Sequence, residues 1–393
     1  MSSIKIDIMG SELKTALSYI APAVGTRASA KQEPSLLYIK LFPNSNKLLT
    51  QVQSSTICAQ ILIDIVSTTI TENIEFLLDY NSLNTYVKNN SKTSQFTFNL
   101  EELEEDIINI TIGAKFLGVV RTVPIDAYEV ISFKETTSLG DIDSKVFSSM
   151  IDMTCQFSNP RIDIYDYVQI VAKDNILSMF TQGDSLAKFS IDYDLEEDID
   201  ITVRASALMK IKKFESPIIN LELTTDEYFL ILKEKGIGTR AVVLHSDPPI
   251  TLEEYEEDIK DKELDTYGLN WSVSEMDTVL RNVENSTRNG IFNFSVPESD
   301  KMVIKTENQV SSSTKMEIDV VSSNYNEELV SSDVFQSSII LFKKLGNLNN
   351  LNGKVSISFN SNDEDYETPY VEFMHAIGTV SDINYTISFN VIG

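Results

Sequence analysis

One order of strands and helices occurs three times in this chain, and a chain that repeats its own pattern must fold as copies of one unit. The stretches LLYIKLFPNSNKLLTQVQSSTICAQILI (36–63), DYVQIVAKDNILSMFTQGDSLAKFSI (166–191) and GIFNFSVPESDKMVIKTENQVSSSTKMEIDV (290–320) share one plan. Each runs as an alternating strand, an Asn/Asp/Ser turn, a second alternating strand, a polar break and a third. Period-two alternation interrupted by turn residues predicts a half-buried antiparallel meander. An amphipathic helical segment precedes each meander, at 11–24, 144–157 and 272–285, and each opens on a Ser placed to serve as N-cap. A second helical segment follows, at 79–90, 204–216 and 331–346, and closing strands come after it at 118–131, 238–250 and 378–393.

The repeat is therefore βαβββαβββ-like and takes about a third of the 393 residues. The fold class is α+β, with three repeated domains at 1–133, 134–255 and 256–393, each with two helices packed on antiparallel sheets. The second boundary lies in TLEEYEEDIKDKELDTYG (251–268), whose dense acidic charge suits an exposed linker. None of the acidic runs has the spacing of a calcium loop, and no metal or cofactor is expected.

With 32 Lys and Arg against 59 Asp and Glu, the net charge of -27 repels nucleic acid as a whole. Any DNA contact must come from a locally basic surface on an acidic body. No run of about 18 apolar residues occurs, and the first residues, MSSIKIDIMGSELK, lack a signal-peptide pattern. A soluble, intracellular protein with no membrane partner is expected. Cys58 and Cys155 are too isolated in sequence to form a disulfide framework and read as two buried free thiols.

Gly183-Asp184-Ser185-Leu186 spells the nucleophile block of GDSL-type serine esterases. Such a nucleophile needs a strand-to-helix turn, a histidine base and an orienting carboxylate. Here the block is followed by AKFSIDYD, which alternates as a strand, and neither His245 nor His375 stands in a D-x-x-H. No catalytic residue is expected, and the chain reads as no enzyme.

The same stretch, MFTQGDSLAKF (179–189), resembles the T-D-G-H-R-L-A segment in the middle domain of the bacterial sliding clamp, the DNA polymerase III β subunit. Residues 5–41 are similar to the clamp's opening strand, helix and Arg-containing loop, here with Arg27. Residues 114–131 and 241–250 resemble the closing strand and proline turn of its first domain and the turn that ends its second. The resemblance implies a head-to-tail homodimeric ring around double-stranded DNA, bound without sequence specificity, with helices lining the channel. A DNA polymerase and a clamp loader are the implied partners, in a bacterial cytoplasm. It also implies a partner-peptide cleft between domains 2 and 3, made of Tyr165, Thr181, Gly183, Asp184, Ser185, Leu186, Pro249, Ile387, Ser388, Phe389 and Asn390.

The helices carry independent support for a DNA-facing side. RASALMKIKKFES (204–216) holds Arg204, Lys210, Lys212 and Lys213 against one acid, with Lys210 and Lys213 spaced to share a helical face. Lys88 and Lys92 in the first repeat and Lys343 and Lys344 in the third extend the pattern. The chain departs from the family at Asp184-Ser185, where His-Arg is usual, and in its SFNVIG terminus. Such drift, with the Asn- and Ser-rich composition, reads as a mobile-element or phage clamp. The rival reading is a β-rich structural or adhesive protein of virion type, in which lysine would not concentrate on helices.

Overall fold

The computed structural model describes residues 5–25, 35–100, 107–133, 135–183, 185–193, 196–226, 228–261, 268–284, 291–306, 314–323, 335–338, 343–345, 348, 354–359 and 373–390. The first repeat runs β1 (Lys5–Met9), α1 (Gly10–Ile20), β2 (Leu36–Phe42), β3 (Lys47–Gln53), β4 (Ile57–Asp64), β5 (Ser67–Thr68), β6 (Ile74–Asp79), α2 (Tyr80–Lys88), β7 (Gln95–Asn99), β8 (Ile107–Ile112) and β9 (Lys115–Val123). The second runs β10 (Thr136–Asp143), α3 (Ser144–Cys155), β11 (Val168–Lys173), β12 (Ile176–Gln182), β13 (Leu186–Asp192), β14 (Ile199–Val203), α4 (Ala205–Ile211), β15 (Ile218–Thr224), β16 (Phe229–Glu234) and β17 (Gly238–Val243). After α5 (Leu252–Asp261), the third runs β18 (Gly268–Ser272), α6 (Val273–Glu284), β19 (Ile291–Glu298), β20 (Lys301–Thr306), β21 (Thr314–Ser323), β22 (Phe335–Ser338), a helical turn at 343–345, β23 (Lys354–Phe359), β24 (Phe373–Val380) and β25 (Ile383–Asn390).

The three meanders fall where the alternation puts them, but four local expectations need correction. Each repeat carries a further strand before its second helix: β6, β14 and β22 pair with β2, β11 and β19 respectively. In the third repeat this strand occupies Phe335–Ser338, inside the segment expected to be helical. Ser272 immediately precedes α6 as expected, but Ser is not the N-cap of α1 or α3: Asp143 accepts the N–H groups of Lys145 (2.8 Å) and Val146 (3.0 Å) ahead of α3. At α1 the N-cap is Met9, with no side-chain cap. Finally, the acidic stretch after residue 251 is not an extended linker, because it contains α5.

The chain divides into two compact units, residues 1–148 with 210–244, and residues 149–209 with 245–393. Unit 1 is built on a 13-stranded sheet ordered β10-β15-β16-β17-β4-β3-β2-β6-β9-β8-β7-β1-β5. Unit 2 is built on a 12-stranded sheet ordered β14-β11-β12-β13-β25-β24-β23-β18-β21-β20-β19-β22. The division follows sheets rather than repeats. The third meander strand of one repeat pairs antiparallel with the closing strand of the next, β4 with β17 in unit 1 and β13 with β25 in unit 2. Two-residue hairpins with both central φ angles positive fix the register at Asp174-Asn175 (54° and 62°) and Ser381-Asp382 (48° and 68°). Short polar residues tolerate that left-handed turn, whose twist matches the strands it joins.

In unit 1, α1 lays Leu13, Ala16, Leu17 and Ile20 on the sheet at the i, i+3, i+4, i+7 spacing of a buried helical stripe. In unit 2 the rings of Phe157 and Tyr385 flank Phe189, with centroids 5.9 and 6.2 Å away. Cys58 and Cys155 are both buried, and burial pushes the Cys58 thiol up to about 12. Among the described residues no helix is long and apolar enough to cross a membrane.

Asp79 caps α2, accepting from the N–H groups of Asn81 and Ser82 (3.3 Å each) and from the Ser82 hydroxyl (2.6 Å). Asp79→Ala is expected to lower unfolding stability by about 1 kcal/mol, read as a lower urea midpoint with an unchanged slope.

Candidate nucleic-acid and partner-binding sites

In unit 1, the described lysines expected to face DNA lie at or just past helix C-termini. Lys88 closes the last turn of α2, Lys92 follows it, and both are exposed. Lys14, which the sequence pattern did not single out, reaches from α1 and donates to the carbonyl of Asn90 (2.5 Å). Helix α4 stops at Ile211, so Lys212 and Lys213 lie beyond its end and do not continue its face. The stop has a cause in β17. Arg240, 4% exposed, donates to the carbonyls of Lys213 (2.6 Å) and Ile211 (3.5 Å) and to that of Tyr19 (3.4 Å). Its guanidinium lies 4.0 Å from the centre of the Tyr19 ring, and burial holds that phenol far above the ordinary tyrosine range despite the cation beside it. Glu234, 2% exposed, completes the clasp with an ion pair to Arg240 (3.3 Å) while accepting the N–H groups of Glu215 (2.6 Å) and Ser216 (2.9 Å). Lys210 and Lys213 are left exposed on a chain segment held at both edges.

The other expected cations are engaged or lie elsewhere. Arg204 stands ahead of α4 in unit 2 and pairs with Asp163 (2.6 Å) and Asp166 (3.6 Å), and that pairing holds Asp163 below the usual carboxylate range. It therefore belongs to a local acid–base cluster rather than to a free helical face. Lys343 pairs with Glu284, and the Lys344 ammonium stands 5.3 Å from the centre of the Phe157 ring. Arg27 lies outside the described residues.

In unit 2 the expected cleft residues do come together, but not as an open groove. Thr181, the last residue but one of β12, is fully buried and donates to the Tyr167 carbonyl (2.5 Å). Gly183 sits so close to the chain after α3 that an added Cβ would meet the Phe157 carbonyl oxygen at 2.2 Å, so the turn tolerates no side chain there. Ser185 is 5% exposed, and its hydroxyl is buried without a hydrogen-bond partner among the described residues. The turn that carries it joins β12 to β13, two paired strands, and starts no helix. Leu186 opens β13 opposite Ser388, beside the pair of Ala187 with Ile387. Tyr165 and Pro249 border the region on loops, the former half-buried and the latter exposed. Asp184 lies outside the described residues, as do the side chains of Phe389 and Asn390.

Over these residues lies α5. Thr251 and Glu254 form a capping box: Thr251 donates its N–H (2.8 Å) to the Glu254 carboxylate, and its hydroxyl accepts the Glu254 N–H (3.2 Å). Leu252 and Tyr255 are buried against Phe180, with Leu186, Ile250 and Ile259 around them. The rings of Phe180 and Tyr255 stack at 5.0 Å. Polar ties flank the apolar contact. The Leu252 N–H donates to Gln169 Oε1 (2.7 Å), whose amide is itself held by Asp200 (2.7 Å). The Tyr255 and Ser388 hydroxyls share a buried hydrogen bond (2.7 Å), and Lys188 pairs with Glu256.

Neither a protein-family model nor a curated protein matches this sequence. The fold is that of the bacterial sliding clamps. Among solved structures, the DNA polymerase sliding clamp from Caulobacter crescentus aligns with a TM-score of 0.81 at 10% identity, over 99% of both chains. The DNA polymerase III β subunit from Thermotoga maritima aligns with a TM-score of 0.78 at 13% identity, again over 99% of both. The β subunit from Streptococcus pyogenes gives 0.76 at 13% over the same shares. The likeness spans the whole chain and rests on architecture, since about one residue in eight is shared.

The clasp around Arg240 yields a direct expectation. Removing one member of a buried ion pair strands the other, at roughly 3–5 kcal/mol, so Arg240→Ala should lower the thermal midpoint sharply. Replacing the exposed Lys213 by Ala should leave it unchanged.

Proposed function

We propose that this chain is a DNA sliding clamp, a processivity factor that encircles duplex DNA as a head-to-tail homodimer and tethers a polymerase without chemistry of its own. The observation that carries the reading is the seam between repeats. Twice, the third meander strand of one repeat pairs with the closing strand of the next. The same rule applied once more asks β21 of the third repeat to pair with β9 of a first repeat in another chain. Among the described residues β21 pairs over Thr314–Asp319 with β20 alone, and β9 pairs over Lys115–Arg121 with β8 alone. Both edges are thus open in the single chain, and β9 exposes Phe116 (58%) and Val119 (43%). Apolar side chains on an unpaired edge are an aggregation hazard unless another chain covers them. Two chains joined in this way close on themselves.

Exposed Lys88, Lys92, Lys210 and Lys213 supply the DNA-facing charge in this reading, with Lys212 beside them. Four or five flexible ammonium groups make few phosphate contacts, which suits a ring that must slide. Loading such a ring requires a clamp loader to open it, and the bacterial cytoplasm is where it would work. The polymerase gains from tethering because its effective concentration at the primer end is raised.

Two measurements test this. The parent chain should scatter light as a dimer at micromolar concentration and Phe116→Glu as a monomer; a monomeric parent would sink the ring. Replacing Lys210, Lys212 and Lys213 with Glu should shorten retention on circular DNA and flatten its salt dependence by about one logarithmic unit per lost phosphate contact. Dimer mass should not change. Retention that is insensitive to these lysines would move the DNA-facing surface elsewhere.

A further inference from the structure

We propose that α5 is a removable strap: it occupies the groove that a partner segment would enter, and docking requires it to leave. The inference rests on reading this groove as the partner site. Without α5, Phe180 and Leu186 would present apolar surface beside Ser388. With α5 in place, Leu252 and Tyr255 fill that surface, and Thr181, Ser185, Ile387 and Ser388 are no more than 5% exposed. Of these, Ser388 is covered by the helix directly, through the Tyr255 hydroxyl.

The attachment is strong enough to hold and short enough to release. Helix α5 has only ten residues, below the length at which an isolated helix persists in water, so its helicity depends on the sheet beneath it. It is held by Leu252, Tyr255 and Ile259, one N–H bond to Gln169, one hydroxyl bond to Ser388 and one ion pair to Lys188. Its outward side carries Glu253, Glu254, Glu257 and Asp258, all exposed. Glu253 and Glu257, four residues apart, repel each other along the helix, and that repulsion eases when it unwinds. Strands β12 and β13, by contrast, are paired along their whole length. The helix is therefore the element of this region that opens first. If it is off in one molecule in a hundred, apparent docking affinity falls about a hundredfold.

The test uses the full chain and a fluorescein-labelled synthetic peptide of residues 250–261 as probe. Leu252→Ala with Tyr255→Ala weakens the strap and leaves the groove walls intact. This double variant should capture the peptide at least about tenfold more tightly than the parent. Thr251→Ala, which removes the hydroxyl half of the capping box without touching any groove contact, should move affinity in the same direction by a smaller factor and serves alone if circular dichroism finds the double variant unfolded. In the parent, the amide protons of α5 should exchange faster than those of β12 and β13. Equal peptide affinities, or α5 amides protected as well as those of the two strands, would overturn the strap. Neither readout involves DNA, so the clamp reading fails separately, when the parent neither dimerises nor is retained on circular DNA.

Discussion

Arg240 and Glu234 form a buried ion pair whose hydrogen bonds go to chain ends: the guanidinium donates to backbone carbonyls, and one oxygen of the carboxylate accepts two backbone N–H groups. The guanidinium takes carbonyls from the end of α4, just past it at Lys213, and from Tyr19 in the last turn of α1, and the carboxylate takes two backbone N–H groups at Glu215 and Ser216. The last carbonyls of a helix have no intrahelical partner, and a cation placed there also meets the negative end of the helix dipole. A buried pair on its own is poor evidence for stability, since desolvation consumes most of its Coulomb energy. This pair is different in kind because it joins two repeats. Arg240 lies on β17, which pairs with β4, so one side chain sets the seam, the end of α1 and the stopping point of α4 together.

The seam has a second consequence. Antiparallel strands that pair across repeats leave a repeating chain with one unpaired edge at each end, as any head-to-tail arrangement must. Edges are costly to leave bare, and sheets escape the problem only by covering them or by closing. Within unit 1, β9 exposes Phe116 and Val119 between two exposed charges, Lys115 and Arg121, so the apolar surface on this edge is bracketed rather than removed. Closure through a second copy is the economical solution within the proposed ring.

Much of this was legible in the sequence, for a physical reason. Period-two alternation is imposed by burial of one sheet face, so the three meanders could be placed from residue type alone. The misreadings share a different origin. Arg204 was counted with the lysines of α4, yet it precedes the helix, where the dipole disfavours a cation, and it is stabilised there by Asp163 and Asp166, distant in sequence. The run from residue 251 was judged by its charge, which is an average property. The decisive signal was positional: Thr251 and Glu254 at capping-box spacing, then Leu252, Tyr255 and Ile259 at i, i+3 and i+7. Ser was preferred as N-cap because of its type, but Asp143 stands one residue earlier and accepts two N–H groups. The Arg240 clasp left no sequence signal at all, since its partners lie on α1, α4 and β16.

The charge of -27 bears on how such a protein could hold DNA. Screening in ordinary salt limits electrostatic reach to about 8–10 Å, so acids spread over a chain of this size do not cancel a cation that meets a phosphate directly. Local composition at the contact therefore decides the sign of the interaction, and distant acids only oppose contacts made elsewhere. At the end of α4, Lys210, Lys212 and Lys213 have Glu215 as the one acid within the segment 204–216. The N–H of Glu215 is fixed by Glu234, and the carboxylate of Glu234 is itself answered by Arg240. Glu234, which holds the chain just past the lysines through the N–H groups of Glu215 and Ser216, is thus paired with a cation of its own. In the proposed ring, exposed Lys88, Lys210 and Lys213 at the ends of α2 and α4 would draw phosphate to that side, while the acids that dominate the chain oppose contacts made elsewhere, the distribution that a ring threaded by duplex, but not wrapped by it, requires.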